Sequence, residues 1–307
     1  MNLAPEDFYA GVDEAPPTHA TVLCAETIAL ISPRSDGIYV DATVGGGGHA
    51  EALLRAAPGA QLIGLDQDQR AVDIARTRLD HFGSAVRVLH GRFSEIERHL
   101  AALGIDKVDG LIADLGVSSL QLWDPTRGLS FRTEGPLDMR MDTSAGETAL
   151  EVIRRLDVDD LANVIYQYGE ERRSRRIARC IKQALAAGEM RTTIDLRRSI
   201  VRAVGPARIG GIDPATRTFQ SLRVAVNREL DELSQLLDSG ARILAGGGVL
   251  AIISFHSLED RIVKRAFLDH WTWQRLTPKP IAPSRSETET NPRSRSAKLR
   301  AAKRVVA

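Results

Sequence analysis

The sequence predicts an α/β protein with an open parallel sheet and an all-helical domain inserted into it. Two observations predict the sheet: short apolar runs end at Asp41, Asp66, His90 and Asp114, and helical stretches separate these runs. Alternation of strands and helices is typical of parallel βαβ units. A third observation predicts the insertion, because the alternation stops after the fourth run and resumes only at the apolar run 249–255.

The first predicted strand leads into a glycine-rich loop. Residues 37–49 read Gly-Ile-Tyr-Val-Asp-Ala-Thr-Val-Gly-Gly-Gly-Gly-His, and we expect a helix over 49–57. Glycine lets the main chain approach a ligand closely, and a helix N-terminus offers free N–H groups. The pattern Asp-x-Thr-x-Gly-x-Gly, which starts at Asp41, favours a site for S-adenosylmethionine (SAM). The looser Gly-x-Gly-x-x-Ala pattern of a dinucleotide-binding oxidoreductase is the alternative.

The next three strands each end in a candidate site residue. Asp66 follows the glycines by about 20 residues, where an acid binds a ribose diol; the alternative is a cap for the helix 69–79. Phe93 follows the third strand and could pack against an adenine ring or belong to the core. Asp114 ends the fourth strand and is the acid nearest to a departing methyl group. Its alternative role is to cap a helix or turn at Ser118.

The inserted segment contains helices and no convincing strand. Predicted helices cover 150–156, 159–168, 173–186 and 194–204. We therefore expect a disordered N-terminal lead over 1–18, a core domain formed by 19–122 and 213–307, and a helical substrate-recognition domain over 123–212. Two separate tandem domains would leave the fifth strand without a sheet.

After the insert, one long amphipathic helix is expected from Phe219 to Leu237, followed by the fifth strand. His256 comes directly after this strand. In addition to Asp114 it is a second candidate catalytic residue, and we expect it to contact RNA or substrate. The arrangement Ser257-x-x-Asp260 also resembles a helix cap, so a structural role for this segment stays open.

Composition excludes several classes of protein. A chain of 307 residues that is 43% apolar and 26% charged has room for two domains. Its two cysteines form no Cys-x-x-Cys motif, so we predict neither a disulfide framework nor a metal site. No apolar run reaches the length of a membrane span, and the acidic, proline-containing start is unlike a signal peptide. We expect a soluble, cytoplasmic protein with no membrane partner.

Positive charge is concentrated in two segments. Residues 170–208 carry 11 Lys/Arg against 4 Asp/Glu, and residues 261–307 carry 12 against 3. Clustered cations of this kind favour a polyanionic partner, although solvated helix faces are the alternative for either segment alone. The predicted RNA contacts are Arg172, Arg173, Arg175, Arg176, Arg293, Arg295 and Arg300.

Six motifs in order resemble the MraW (RsmH) family of bacterial ribosomal RNA small subunit methyltransferases. They are Gly-Gly-Gly-Gly-His at 45–49, Asp-Leu-Gly-Val-Ser-Ser at 114–119, Gly-Pro-Leu-Asp-Met-Arg-Met-Asp at 135–142, Tyr-Gly-Glu-Glu-Arg at 168–172, Thr-Arg-Thr-Phe-Gln at 216–220 and Ser-Phe-His-Ser-Leu-Glu-Asp-Arg-Ile-Val-Lys at 254–264. The resemblance covers about 19–303. It implies a class I (Rossmann-like) SAM-dependent methyltransferase sheet and methylation of the N4 amino group of a cytidine in the decoding region of 16S rRNA.

The resemblance also implies the cofactor contacts. These fall on Gly47, Gly48, His49, Asp66, Phe93, Asp114 and Gln121. The chain departs from the family pattern at Gly46, where relatives often have a larger polar residue, and at Leu120, where proline is common.

The reaction type can be weighed from the residues themselves. Methylation at carbon 5 of cytosine needs a cysteine nucleophile, and neither Cys24 nor Cys180 is expected at the carboxyl ends of the strands. Methylation of an amine needs an acceptor for its hydrogen, and the candidates are Asp114 and a backbone carbonyl beside it. Ribose 2′-O methylation, with Lys264 and Glu259 recruited, is the nearest alternative. An NAD-dependent oxidoreductase and a non-catalytic RNA-binding assembly factor are the others. Oligomeric state, metal requirement and the choice between free 16S rRNA and an assembled small subunit stay open.

Overall fold

The computed structural model describes residues 21–206 and 213–305, so the predicted lead over 1–18 lies outside the described residues. The strands are β1 (Ile38–Asp41), β2 (Gln61–Asp66), β3 (Val86–His90), β4 (Val108–Asp114), β5 (Leu244–Ser254), β6 (Trp273–Arg275) and β7 (Lys298–Arg304). The helices are α1 (Cys24–Ile31), α2 (Gly48–Ala56), α3 (Gln69–Leu79), α4 (Ile96–Ala102), α5 (Ser119–Trp123), α6 (Ala149–Arg155), α7 (Val158–Gly169), α8 (Ser174–Ala186), α9 (Thr193–Val204), α10 (Thr216–Asn227), α11 (Glu229–Ile243), α12 (Ser257–Ala266) and α13 (Arg285–Thr290).

All seven strands belong to one sheet, in the order β3-β2-β1-β4-β5-β7-β6. Strands β1 to β5 pair in parallel, and β7 runs antiparallel to both β5 and β6. The α/β class and the first four strands are therefore as predicted. The strand order reverses at β1, between β2 on one side and β4 on the other, and ligands in open sheets bind outside the carboxyl ends of the strands at such a point. The acids that end β1, β2 and β4 lie at that edge.

The chain folds into two compact units. One consists of 21–116 and 230–305, and the other of 117–206 and 213–229, within the described residues. Both boundaries of the second unit lie outside the predicted 123 and 212. The carboxyl-side boundary lies later than predicted because Phe219 and Leu222 of α10 are buried in the core of the helical unit.

Each unit has its own apolar core. In the sheet unit, buried residues of the central strands pack with α4, α11 and α12. In the helical unit, α6 to α10 bury their apolar faces together, and Phe131 contacts Phe219 edge to face with ring centroids 5.0 Å apart. Burial of these faces accounts for the helical periodicity of the inserted sequence.

The single helix predicted from Phe219 to Leu237 is wrong. The chain breaks at Arg228, which has φ of 52°, so α10 and α11 are separate helices. Across this break, the buried guanidinium of Arg223 donates to both carboxylate oxygens of Glu229 at 2.7 Å. The side chain of Asn227 also accepts from Met141 N–H and donates to the Met139 carbonyl. These side-chain bonds hold a turn that contains neither glycine nor proline.

The basic carboxyl-terminal segment contains a strand that the sequence did not predict. In β7, Leu299, Ala301 and Ala302 are fully buried, and the strand lies between β5 and β6. Its lysines and arginines conceal the apolar pattern in the sequence. Among the described residues, none of the helices combines the length and apolarity needed to cross a membrane.

Candidate active site

The glycine loop approaches its neighbours closely. Gly45 and Gly47 have φ of 51° and 81°, in the left-handed region that glycine tolerates. A Cβ on Gly48 would lie 1.8 Å from Thr21 Oγ1. Arg78 of α3 donates to the Gly46 carbonyl at 3.2 Å and to Glu51 at 2.6 Å. The loop is therefore held from two sides, and a larger residue fits at position 46 but not at 48.

Asp66 is bound by two main-chain donors. Its Oδ2 accepts from Gly45 N–H and its Oδ1 from Asp68 N–H, each at 2.9 Å. The cap of α3 is Asp68, whose side chain accepts from Arg70 N–H, so the capping alternative for Asp66 is wrong. Burial raises the pKa of Asp66 to about 6, although the two hydrogen bonds act to lower this pKa. The second lone pair of each oxygen suits a vicinal diol.

The ends of β1 and β4 are joined through Thr43. Thr43 N–H donates to Asp41 Oδ1 at 3.2 Å, and Asp114 N–H donates to Thr43 Oγ1 at 2.6 Å. Asp41 Oδ2 and Asp114 Oδ1 are buried and have no hydrogen-bond partner. A buried carboxylate oxygen without a partner is costly, so these two atoms mark a candidate ligand site. Ser118, and not Asp114, caps α5.

His49 lies beside both acids. Its ring is 4% exposed, and its Nε2 is 3.6 Å from Asp114 Oδ2, which is an ion-pair distance longer than a hydrogen bond. Neither ring nitrogen has a hydrogen-bond partner. Burial opposes a charged ring, but Asp114, the Cys24 side chain and Asp41 together raise the pKa of His49 to about 10. Burial raises the pKa of Asp41 to about 7, although His49 opposes this rise.

Phe93 lies in a turn that α11 anchors. Glu232 accepts from Ser94 N–H at 3.4 Å and from the Arg92 guanidinium at 3.5 Å. The Phe93 ring is half-buried and packs against the core of the sheet unit. The packing confirms the core role of Phe93, and its contact with an adenine ring stays a prediction.

Gln121 belongs to the helical unit, whereas the other predicted cofactor contacts belong to the sheet unit. Its Oε1 accepts from Ser118 N–H at 2.9 Å, and its own N–H donates to Ser118 Oγ. This is a capping box at the start of α5. Its contact with a cofactor stays a prediction.

His256 is the N-cap of α12. The ring accepts from Glu259 N–H, and Glu259 accepts in return from Phe255 N–H at 2.8 Å and His256 N–H at 3.3 Å. The cap starts one residue before the predicted Ser257. These bonds give Glu259 a capping role through one of its two oxygens, and its recruitment for ribose 2′-O methylation stays an untested alternative. A contact between His256 and RNA stays a prediction.

The predicted RNA-binding arginines differ in exposure. Arg172, Arg175, Arg176 and Arg295 are exposed, while Arg173 and Arg293 are half-buried. Arg300 is the exception, because its buried side chain donates to Asp260 at 2.6 Å. The structure does not support Arg300 as an RNA contact.

Cys24 lies on α1, and its side chain is near enough to His49 to raise the pKa of that ring. No motif signals this, because α1 precedes the first predicted element.

Comparison with known proteins now identifies the family. The model of the MraW methylase family matches residues 17–305. The chain belongs to this family. Its methyltransferase class and its fold, both expected from the sequence, are thereby confirmed.

Two relatives illustrate the similarity. The chain is 65% identical over 287 residues to the Ribosomal RNA small subunit methyltransferase H of Sorangium cellulosum, covering 94% of this chain and 91% of the relative. It is 48% identical to the protein of the same name from a Cyanothece strain, covering 94% and 95%. Among solved structures, an rRNA methylase from Streptococcus thermophilus aligns over 96% of this chain and 100% of its own, with 10% identity and a TM-score of 0.45. This last likeness carries no inference.

Proposed function

We propose that this protein transfers a methyl group from SAM to the N4 amino group of a cytidine in 16S rRNA. One observation carries the proposal: a MraW family chain holds an unpartnered carboxylate oxygen of Asp114 at the end of β4, beside the glycine loop. The relatives' printed name supports small-subunit rRNA as the substrate. Such a function belongs in the cytoplasm, where the subunit is assembled.

The residues present fit the cofactor. Asp66 would bind the ribose diol, the loop 45–48 and the start of α2 would lie along the rest of the molecule, and Phe93 would pack against the adenine. When bound, SAM supplies an electrophilic methyl group and retains the electron pair of the broken sulfur–carbon bond. The protein contributes orientation, which accounts for up to roughly 7–11 kcal/mol in the best intramolecular cases.

Asp114 acts on the nucleophile. It accepts a hydrogen bond from the exocyclic amine, which directs the nitrogen lone pair away from the carboxylate, and takes the proton that the amine loses once the new carbon–nitrogen bond has formed. The proton then leaves to solvent. Asp114→Ala should lose about 10²–10⁴-fold in methylation rate when SAM is saturating. A wild-type rate in this variant would remove Asp114 from the mechanism.

The position of Cys24 beside His49 calls for a direct test of the atom that is methylated. We expect mass spectrometry of nucleosides from treated small-subunit RNA to give N4-methylcytidine, and Cys24→Ser to stay active. Detection of 5-methylcytidine, with loss of activity in Cys24→Ser, would replace the amine route by cysteine addition. Detection of a 2′-O-methylated nucleoside would refute both. Parallel assays with free 16S rRNA and with assembled particles identify the substrate form.

Exposed arginines of the helical unit would bind the RNA backbone. Arg175 and Arg176 lie in the first turn of α8 and are exposed. Replacing both by glutamine should weaken RNA binding and make the salt dependence shallower, by about 0.7 per lost phosphate contact on a single strand. The pair Arg87 and Arg98 on the sheet unit, also exposed, is the matched control. Equal salt slopes for the two double variants would contradict the assignment.

A further inference from the structure

The connection between β6 and β7 reaches the edge of the sheet at which the acids of the candidate site lie. Strand β7 begins at Lys298, level with the last residue of β5. Strand β5 pairs in parallel with β4, so this end of β5 lies beside Asp114. Within the connection, Ile281 still bridges β7 at Leu299. The part that follows, residues 282–297, therefore lies at the carboxyl ends of the parallel strands.

Helix α13 belongs to this connection, and its Glu287 makes a hydrogen bond far outside the helix. Ser284 caps α13 by accepting from Glu287 N–H at 3.1 Å, so Ser284-x-x-Glu287 has the sequence of a capping box. Among the described residues, the reciprocal bond of such a box is not formed. Glu287 Oε1 instead accepts from Leu23 N–H at 2.8 Å, across 264 positions of the chain.

Leu23 needs this partner because its backbone is both buried and unusual. The residue is fully buried, precedes α1 and has φ of 49°, in the left-handed region that residues other than glycine seldom adopt. Its carbonyl is bound from within the helix, by Thr27 N–H at 2.9 Å and Thr27 Oγ1 at 2.8 Å. Removal of the Glu287 carboxylate would leave the Leu23 N–H as a buried donor without an acceptor, which is costly.

We propose that Glu287 is a positioning residue that holds the segment 21–23 against the glycine loop, so that the connection between β6 and β7 sets the affinity for the cofactor. Thr21 makes the contact with the loop: a Cβ on Gly48, the first residue of α2, would lie 1.8 Å from Thr21 Oγ1. A segment that is already ordered costs less to immobilise when a ligand binds. The inference rests on the proposed function, since it concerns the cofactor site, but it assigns no contact between Glu287 and SAM.

Calorimetry of S-adenosylhomocysteine binding to the full-length protein tests this role. Glu287→Ala should lower the affinity by about 2- to 30-fold, the range for a residue that couples two parts of a protein. Glu287→Gln keeps an acceptor oxygen, and its affinity should lie between those of Glu287→Ala and the wild type, since a charge-assisted hydrogen bond is roughly twice as strong as a neutral one.

The matched control is Glu289→Ala, on the same helix, where the exposed carboxylate pairs with Arg285. It should bind S-adenosylhomocysteine as the wild type does. If Glu287→Ala binds as well as this control, the inference is overturned. It is also overturned if Glu287→Gln binds as weakly as Glu287→Ala, because the acceptor oxygen then has no effect.

Steady-state kinetics and a double variant separate positioning from a general loss of stability. Glu287→Ala should raise KM for SAM by the same factor as it lowers the affinity and should leave kcat unchanged, because Glu287 contacts no reacting atom. If Glu287 acts through the segment 21–23, the effects of Glu287→Ala and Thr21→Ala on the affinity should not add. Additive effects, or a lower kcat with unchanged KM, would contradict the proposed route.

Hydrogen exchange of the wild type decides the matter even if Glu287→Ala does not fold. Coupling between two sites is reciprocal, so saturating S-adenosylhomocysteine should slow exchange of the Leu23 amide. Equal exchange rates with and without this ligand overturn the inference. A wild type that binds no S-adenosylhomocysteine would refute the proposed function, whereas binding that Glu287→Ala leaves intact would refute the role of Glu287 alone.

Discussion

Replacing Gly48 by alanine tests how closely the segment before α1 covers the glycine loop. The new Cβ would lie 1.8 Å from Thr21 Oγ1 and 3.1 Å from Thr21 Cβ. Rotation of the Thr21 side chain moves Oγ1 away but leaves the second contact, so the backbone must shift by a few tenths of an ångström. A Cβ on Gly46 meets nothing within 4 Å, which makes Gly46→Ala the matched control.

The expected cost follows from this overlap. Overpacking of a closed site costs about 1–3 kcal/mol, whereas a surface change without contacts stays within about 0.5 kcal/mol. Thr21→Ala removes Oγ1 and Cγ2 and should recover part of the loss in the Gly48→Ala background. The coupling between the two changes should then reach at least about 0.5 kcal/mol, as for residues in contact.

Urea denaturation of the wild type, Gly46→Ala, Gly48→Ala, Thr21→Ala and the Gly48→Ala/Thr21→Ala double variant provides the measurement. The order of stability should place Gly48→Ala lowest, with the double variant above it. If Gly48→Ala is as stable as Gly46→Ala, or if the effects of Gly48→Ala and Thr21→Ala simply add, the close contact deduced for this loop is incorrect.

Three further predictions concern charged groups. Asp66→Asn should keep the fold and lower the affinity for S-adenosylhomocysteine by tenfold or more, since a charge-assisted hydrogen bond contributes about 1.5–3 kcal/mol; calorimetry showing unchanged affinity would exclude Asp66 from the ribose site. The folded protein should lose stability as pH rises from about 6.5 to about 10, because folded His49 keeps a proton that the unfolded chain releases at 6.5, at about 1.4 kcal/mol per pH unit. The raised pKa of Asp41 likewise lowers the stability of the folded protein as pH rises from about 4 to about 7. Urea titrations should show a flatter dependence of stability on pH above pH 7 for His49→Gln than for the wild type. Glu229→Gln should destabilise the helical unit by about 3–5 kcal/mol, because it leaves the Arg223 guanidinium buried without its carboxylate; an exposed pair such as Arg285 and Glu289 should cost less than about 1 kcal/mol when broken.

Local sequence patterns were sufficient to predict the half of the sheet that carries the candidate site. The first four strands end at Asp41, Asp66, His90 and Asp114, as predicted, because each is a short apolar run bounded by glycine or an acid. The helices of the insert were also close to their predicted bounds, since each buries one apolar face. In both cases burial and periodicity act over a few residues, which a single sequence displays.

Contacts between distant residues could not be predicted. Arg300 was assigned to RNA because it lies in a basic run, yet its partner Asp260 is 40 residues earlier in the chain. The approach of His49 to Asp114 depends on the parallel pairing of β1 with β4. The break at Arg228 likewise depends on side chains that satisfy the turn from elsewhere, with no turn-forming residue to mark it.

The order of the strands has a consequence for how the nascent chain acquires its structure. The predicted cofactor contacts of the sheet unit are all translated by residue 114, and β1, β2 and β4 can associate early through short connections. Strand β4, however, can pair with β5 only after the whole insert has been synthesised, since Gly110 pairs with Val249. Strand β5 in turn can pair with β7 only after the carboxyl-terminal segment has been synthesised. Distant pairings of this kind form slowly. During translation β4 therefore exposes an open edge, a point at which a chaperone would shield the polypeptide and at which an interrupted chain would aggregate.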